Sequence, residues 1–255
     1  MKLPTTENIL EIAVQSYQSA LTAERGGADR IELCTALQTG GLTPDMGLMQ
    51  TVADATSLPV HVLVRPRLGN FIYDKYEFAT IMQTVKACRE LKVHGVVVGC
   101  LKKDGTIDPE KMRAIRDVAG SLDLTFHRAI DVCGDIFRAL DTLMQLEFDR
   151  VLSSGAARSA WEGRHMLKKM VEHTSDSHLS IMPGAGVNAN NAPEILAFTG
   201  SLEIHASAKK VQALAVQDPI GLTFVNGRAI DTKWESDLVE IQKIKTGLGS
   251  PKKNI

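Results

Sequence analysis

Residues 10–35 read LEIAVQSYQSALTAERGGADRIELCT, and this stretch decides the fold class. A short apolar run is followed by a longer segment with helical periodicity and then by a second apolar run. This is the pattern of a parallel strand, a crossover helix and the next strand. A doubly wound sheet is the alternative to a barrel, but it would commonly carry a glycine-rich dinucleotide fingerprint after its first strand. Residues 15–19 read QSYQS instead, so a barrel is favoured.

The same alternation recurs along the whole chain. Eight short β-branched or apolar runs lie at 10–16, 30–35, 59–65, 95–100, 123–129, 149–155, 178–183 and 201–207. Eight strand and helix units in 255 residues predict an α/β fold, a single-domain (β/α)₈ TIM barrel over residues 1–255. The units lie between about residues 10 and 245. We expect residues 208–230 to be irregular and the Gly/Pro/Lys tail at 247–255 to be flexible.

Several helix ends can be assigned from residue type. Ser16, Asp135 and Asn188 can each accept a hydrogen bond from a free N–H at the start of a helix. Thr232 and Glu235 have the spacing of a capping box ahead of the last predicted helix. The sequence therefore predicts seven helices between the strands and an eighth after them.

Composition excludes several classes of partner. The chain has 29 basic and 30 acidic residues and a net charge of −1, so it has no long-range attraction for nucleic acid or anionic lipid. Its first residues contain no apolar signal region, and its longest apolar run, 95–101, is far shorter than the ~20 residues of a membrane span. Four cysteines without a CxxC pair are typical of a reducing compartment. We predict a cytoplasmic protein without nucleic-acid or membrane partners.

Polar side chains lie at the carboxyl ends of several predicted strands, where TIM barrels place their active sites. Glu32, Arg65 and His127 are the candidate catalytic residues, with Glu32 as base and His127 as acid. A carboxylate and an imidazole can be tuned towards neutral pH by burial and by each other. The alternative is a structural ion-pair cluster, because buried charges also need partners.

Other residues at the same end of the barrel favour an anionic ligand. Guanidinium groups bind carboxylate or phosphate bidentately, and glycine-rich loops before helices present free N–H groups to oxyanions. The candidate anion-binding or ligand-binding residues are Arg67, Ser153, Ser154, Gly155, Gly184, Gly186 and His205. The alternatives are that one arginine only neutralises Glu32 or Glu11, and that the glycines only turn strands into helices.

A series of motifs resembles the CutC family over about residues 10–208. In order they are IELC at 31–34, GGLTP at 40–44, VRPR at 64–67, TFHRA at 125–129, LSSG at 152–155 and PGAG at 183–186. The resemblance implies a cytoplasmic TIM barrel that forms a homo-oligomer, a dimer or tetramer, with a role in copper homeostasis and copper(I) binding. Cys34 is the metal ligand that the resemblance implies. Where some relatives have further cysteines, this chain has Ala13 and Ile72.

Three functions are compatible with these residues. The first is copper handling, in which Cys34 binds Cu(I) together with Met182, His127 or His205. The second is an enzyme that acts on a small phosphorylated or carboxylated metabolite by proton transfer or hydrolysis. The third is a barrel without chemistry, whose polar cluster only fixes the strand register. The small-molecule partner is accordingly an anion or a copper ion.

Overall fold

The computed structural model describes residues 8–214, 224–225, 228–229 and 232–249, and its main feature is a barrel of parallel strands. The strands are β1 (Ile9–Val14), β2 (Arg30–Leu33), β3 (Val60–Leu63), β4 (Gly95–Val98), β5 (Asp123–Phe126), β6 (Arg150–Ser153), β7 (Ser180–Pro183) and β8 (Glu203–Ala206). The helices are α1 (Tyr17–Arg25), α2 (Met46–Ala55), α3 (Lys75–Glu90), α4 (Pro109–Ala119), α5 (Ile136–Gln145), α6 (Arg164–His173), α7 (Ala192–Thr199) and α8 (Leu238–Leu248).

The eight strands form one sheet in which chain order is also spatial order. The order is β7-β6-β5-β4-β3-β2-β1-β8, and each pair of neighbours is parallel. At the junction of β7 and β8, the hydroxyl of Ser201, two residues before β8, donates a hydrogen bond to the Ile181 carbonyl of β7. The predicted TIM barrel is confirmed, in a nearly closed form.

Residue type predicts two of the four assigned helix starts correctly. Ser16 and Asp135 cap α1 and α5 as predicted, by accepting from Ser19 and Arg138 N–H groups. The prediction for Asn188 is wrong, because α7 begins three residues later, after Asn191. The Asn191 side chain instead accepts from the Asn188 N–H, so the two asparagines brace the turn that precedes the helix.

The C-terminal region differs from the prediction. Part of 208–230 is a strand, β9 (Lys209–Ala213), and short strands β10 (Phe224–Val225) and β11 (Arg228–Ala229) pair with each other. The predicted capping box is wrong, because its residues form β12 (Thr232–Ser236), antiparallel to β9, and Asp237 caps α8. The Glu235 carboxylate accepts from the hydroxyls of Ser16 and Ser19, so it is used in a tertiary contact. Of the predicted tail, 250–255 lies outside the described residues.

Apolar and polar side chains divide between the two faces of the sheet. Outward-facing residues of the strands, such as Ile12, Ile31 and Val62, pack against the helices in one continuous core. Inward-facing residues include buried Glu11, Arg30 and other charged groups. None of the helices in the described ranges has the length and apolar character to span a bilayer. Polar side chains of several sequence motifs, among them Glu32 and His127, are buried inside the barrel.

Candidate functional site

A buried ion-pair network lies at the amino-terminal ends of the strands, and we call it the floor network: Glu11, Arg30, Arg150 and Glu203. Arg30 Nε lies 2.5 Å from Glu11 Oε2 and its Nη2 lies 2.7 Å from Glu203 Oε2. Arg150 Nε binds the same Glu203 oxygen at 2.8 Å. Burial raises both carboxylate pKa values, but Arg30 and His205 outweigh it at Glu11, and Arg150 and Arg30 outweigh it at Glu203. The pKa values of both groups therefore lie below their usual range. Every charge in the floor network has a charged partner.

Glu32 lies one layer above the floor network, at the register position of Ala13 on β1. It is 5% exposed, and its Oε2 atom has no hydrogen-bond partner. Burial raises its pKa to about 7, with a further increase from the negative charge of Glu11. The opposing influence of His205 and Arg30 is smaller. Glu32 can therefore both take up and release a proton near neutral pH.

His127 follows β5 and contributes a neutral imidazole. Its Nδ1 accepts from the Ala129 N–H at 3.2 Å, which leaves the proton on Nε2, and Nε2 has no partner. Burial and the nearby Arg65 lower its pKa to about 3. A Cβ on Gly99 of the neighbouring chain segment would lie 2.4 Å from the ring, so only glycine leaves room for it. Near neutral pH the imidazole of His127 is therefore neutral, and its Nε2–H can donate a hydrogen bond. Its role as the acid stays a prediction.

Arg65 follows β3 and is held by the backbone rather than by a carboxylate. Its Nη1 donates to the Gly41 carbonyl at 3.0 Å and its Nη2 to the Gly69 carbonyl at 3.3 Å, while Nε is buried without a partner. Its guanidinium lies 5.3 Å from the centre of the Phe71 ring. The alternative that Arg65 neutralises Glu11 is therefore wrong, because Arg30 and His205 bind that carboxylate.

Glu32, Arg65 and His127, which we call the mouth set, line one cavity at the carboxyl ends of the strands. The cavity has a volume of about 830 Å³. Its apolar wall includes Leu37, Leu63, Phe71 and Leu152, and its rim includes the loop that follows β7. A cavity of this size with a few convergent polar groups has the character of a small-molecule site.

His205, on β8, also lines this cavity and is paired with the floor network. Its Nδ1 lies 2.7 Å from Glu11 Oε1. A Cβ on Gly184 would lie 2.5 Å from Leu152 and 3.3 Å from the His205 side chain. Gly184 therefore provides space for the site residues, and its N–H donates to the Ser153 carbonyl at 2.8 Å.

The loop after β6 is already filled by a carboxylate of the same chain. Asp131 accepts from the Ser153 hydroxyl at 2.6 Å, from the Ser154 N–H at 3.1 Å and from the Ala156 N–H at 3.1 Å. The Gly155 N–H donates to the Ser153 hydroxyl at 2.9 Å. The predicted oxyanion donors Ser153, Ser154 and Gly155 are thus engaged internally. Sequence reasoning missed Asp131, since it lies in a short 3-10 helix after β5 and no motif spacing marks it.

Of the two remaining predicted anion ligands, Gly186 lines the cavity and Arg67 does not. Gly186 has a φ of +70° in the loop after β7 and lines the cavity. Arg67 does not line it: its guanidinium forms an ion pair with Glu77 of α3 and donates to the Ile72 carbonyl at 2.8 Å. Arg65 and Arg67 lie two residues apart, and only Arg65 reaches the site.

Cys34 faces the barrel interior in an apolar cluster with Leu63 and Val97. Burial and the negative charge of Glu32 raise the pKa of the thiol, which disfavours the thiolate that a soft metal requires. Met182 Sδ, a further candidate, accepts from Arg30 Nη2 at 3.3 Å. Both soft donors are thus in other contacts: Cys34 packs against apolar side chains, and Met182 Sδ accepts from Arg30.

Among the residues that the structure describes, one cluster of potential metal ligands occurs. It consists of Glu11, Glu32 and His205, whose ligand atoms all lie within 4.8 Å of one another. Oxygen and imidazole donors suit harder or borderline ions better than Cu(I). Both carboxylate oxygens of Glu11 are already engaged, by Arg30 and His205.

Comparison with known proteins gives a consistent result. The family model described as the CutC family matches residues 8–210. A relative from Parabacteroides distasonis named family protein CutC is 44% identical over 206 residues, which cover 80% of this chain and 84% of the relative. A human relative named copper homeostasis protein cutC homolog is 36% identical over 247 residues, covering 97% of this chain and 90% of the relative.

Solved structures agree with this assignment. The crystal structure of a CutC protein from Streptococcus agalactiae has a TM-score of 0.74 at 28% identity, and the match covers 78% of this chain and 98% of that one. Phosphoribosylanthranilate isomerase from Pyrococcus furiosus has a TM-score of 0.58 at 9% identity, a likeness of fold alone. On its motifs, its barrel and its relatives, this chain belongs to the CutC family, which is associated with copper homeostasis.

Proposed function

We propose that this CutC-family barrel is an enzyme that moves a proton on a small organic anion bound at its mouth. One observation carries the proposal. In the described part of the chain, five side chains have a buried polar atom without a hydrogen-bond partner: Glu32, His61, Arg65, Tyr73 and His127. Three of these, the mouth set, line the same cavity. Buried polar groups are normally paired, so three unpaired ones around one hollow are best explained by a ligand that pairs them.

Each member of the mouth set has a role in this proposal. Arg65 binds an anionic group of the ligand, since no carboxylate of the described chain neutralises it. Glu32, with its pKa raised to about 7 by burial, takes the proton. The Nε2–H of neutral His127 donates to the ligand oxygen on which negative charge develops. A hydrolytic reaction would use the same base to activate water.

A screen of small carboxylates and phosphorylated metabolites by thermal shift tests the proposal. A ligand should raise the melting temperature of the wild type, because binding to the folded state stabilises it by mass action. Arg65→Ala should abolish the increase. Arg67→Ala is the matched control and should retain it. An increase that survives Arg65→Ala, or no stabilising ligand at millimolar concentration, would contradict the proposal.

The second candidate is direct copper(I) handling, with copper as cargo and Cys34 as ligand. The name of the human relative favours it. Cys34, Cys88, Cys100 and Cys133 are all free, as a copper-handling protein of the reducing cytoplasm requires. Titration of Cu(I) into the reduced wild type and Cys34→Ser separates the candidates. Equal, weak binding by both supports the enzyme, and tight binding lost in Cys34→Ser supports copper handling.

The proposal includes a homo-oligomer, either a dimer or a tetramer. The family resemblance is its only support. Light scattering coupled to size exclusion measures the mass in solution directly. A mass of 27.7 kDa, that of one chain, would contradict it.

A further inference from the structure

We propose that His205 is a second acid–base residue of the mouth, coupled to Glu32, and that Glu11 is the residue that positions it. This inference rests on the proposed function and deepens it. His205 is on β8 and Glu32 on β2, with β1 between them. Their nearest ligand atoms and those of Glu11 lie within 4.8 Å of one another, and both Glu32 and His205 line the cavity.

The contact with Glu11 fixes the imidazole of His205. Nδ1 lies 2.7 Å from Glu11 Oε1, so Nδ1–H donates to the carboxylate and Nε2 is the nitrogen that can exchange a proton with a ligand. Glu11 is itself fully buried, and Arg30 holds its second oxygen at 2.5 Å. A carboxylate that orients a histidine in this way is the arrangement of many acid–base sites.

The small side chain of Ala13 lies above Glu11 on the same strand. Ala13 is the register partner of Glu32, just as Glu11 is the partner of His205. Ala13 lines the cavity together with both of them. No bulky side chain from β1 therefore separates the carboxylate of Glu32 from the imidazole of His205, and one ligand can contact both.

The charges that face His205 come from two strands. Glu11 on β1 and Glu32 on β2 are negative when ionised, and Arg30 on β2 is positive. Burial disfavours the imidazolium, but the hydrogen bond to Glu11 and the charges of Glu32 and Glu11 outweigh it, so the pKa of His205 is raised from 6.5. Burial raises the pKa of Glu32 to about 7. His127, by contrast, stays neutral near that pH.

Glu32 and His205 together can remove a proton from one ligand atom and add a proton to another, and can then exchange these roles. Glu32 carboxylate takes a proton from a ligand C–H bond, and the electron pair of that bond moves onto the adjacent carbonyl oxygen. His205 imidazolium gives its Nε2 proton to that oxygen, so Glu32 ends protonated and His205 neutral. When the carbon that lost its proton carries a hydroxyl, neutral His205 then takes the proton of that hydroxyl and a carbonyl forms there. The electron pair of the C=C bond takes the proton of Glu32 at the former carbonyl carbon. The product is an isomer, both groups are restored, and no oxidant, reductant or co-reactant is needed. The ligand class is therefore a small anion with an α-hydroxycarbonyl group, in which the acidic C–H bond is on the carbon that carries the hydroxyl.

Nitrogen-15 NMR of histidine-labelled protein, titrated from pH 5 to 9, tests the coupling without any ligand. His205→Gln identifies the resonance of His205 among the seven histidines of the chain. In the wild type we expect Nδ1 of His205 to be protonated and the ring to titrate above its ordinary pKa. Glu32→Gln removes one of the charges that stabilise the imidazolium, so we expect the pKa of His205 to fall by about 1.

Two further variants serve as a control and as a second test of the coupling. Glu77→Gln removes a carboxylate outside the cavity and should leave the titration of His205 unchanged. Glu11→Gln should lower the pKa of His205 more than Glu32→Gln does and weaken the Nδ1–H signal. If Glu11→Gln does not fold, Glu32→Gln alone decides the question.

The inference is overturned if His205 titrates identically in the wild type and Glu32→Gln, or if its Nδ1 is unprotonated. Failure of the metabolite screen would leave this titration unchanged. The two proposals therefore fail through separate measurements.

Discussion

The floor network and the mouth set are built from the same kinds of side chain but differ in how their charges are used. In the floor network, Arg30 and Arg150 contact Glu11 and Glu203 at 2.5 to 2.8 Å. In the mouth set, Glu32, Arg65 and His127 each keep a buried polar atom without a partner. A buried charge that is paired within the chain contributes to holding the fold, whereas an unpaired one costs stability unless a ligand completes it. Under the proposed function, this difference separates structural from functional charges inside one barrel.

The largest effect should come from breaking the floor network. Arg30→Met leaves the Glu11 carboxylate without its guanidinium in a fully buried position and removes one of the two arginines at Glu203. Removing one partner of a buried ion pair costs about 3 to 5 kcal/mol. Urea unfolding at pH 7.5 should show this loss as a lower midpoint.

Arg65→Met is the matched change at the mouth. Because the guanidinium of Arg65 donates to backbone carbonyls of two loops and to no carboxylate of the described chain, we expect Arg65→Met to cost less than about 1 kcal/mol. Similar losses for the two variants would remove the distinction between floor and mouth.

The next largest effect should be an increase in stability, caused by removing the charge of Glu32. The pKa of Glu32 is raised from 4.5 to about 7, so the folded protein holds a proton that the unfolded chain has released between these pH values. The contribution of Glu32 to stability is therefore present below pH 4.5 and is lost as the pH rises to about 7. Glu32→Gln keeps the shape without the charge, and it should stabilise the protein on the order of 3 kcal/mol at pH 8.5.

Measurement at two pH values checks this interpretation. At pH 4.5 the gain from Glu32→Gln should largely disappear. Glu11→Gln should behave in the reverse manner, because the pKa of Glu11 lies below its ordinary value in the folded state. Its carboxylate supports the fold above about pH 4.5, and that support is lost as the pH falls. A destabilising effect of Glu32→Gln at pH 8.5 would place Glu32 in the structural network.

The sequence predicts the barrel well because its signals are local and repeated. The alternation in residues 10–35 and the caps at Ser16 and Asp135 depend on neighbours within a few positions. The stretch at 232–236 shows the limit of such signals. Its capping-box spacing is correct as a pattern, but pairing with β9 and the contacts of Glu235 with α1 stabilise a strand there.

The site was predictable in outline, since Glu32, Arg65, His127 and His205 all line the cavity. The ion pairs within the barrel were not predictable, because Arg30 and Glu203 are 173 residues apart. Sequence spacing carries no information about which carboxylate an arginine will pair with. Asp131 is a similar case. Its carboxylate fills the loop after β6, which the glycine and serines alone mark as an anion site.

The smallest loss of stability is expected for Arg67, which belongs to neither the floor network nor the mouth set. It therefore tests whether the distinction between the two groups holds. It follows the same strand as Arg65, yet its guanidinium binds Glu77 at the start of α3, and the two side chains are 35% and 28% exposed. Solvent-exposed ion pairs contribute about 0 to 1 kcal/mol and are screened by salt. Arg67→Met should therefore lower stability by less than about 1 kcal/mol, and 1 M NaCl should reduce the difference further. Urea unfolding at low and high salt measures both. A loss comparable to that of Arg30→Met, unaffected by salt, would show that the pair acts as a buried one and that unpaired atoms alone do not mark the functional charges.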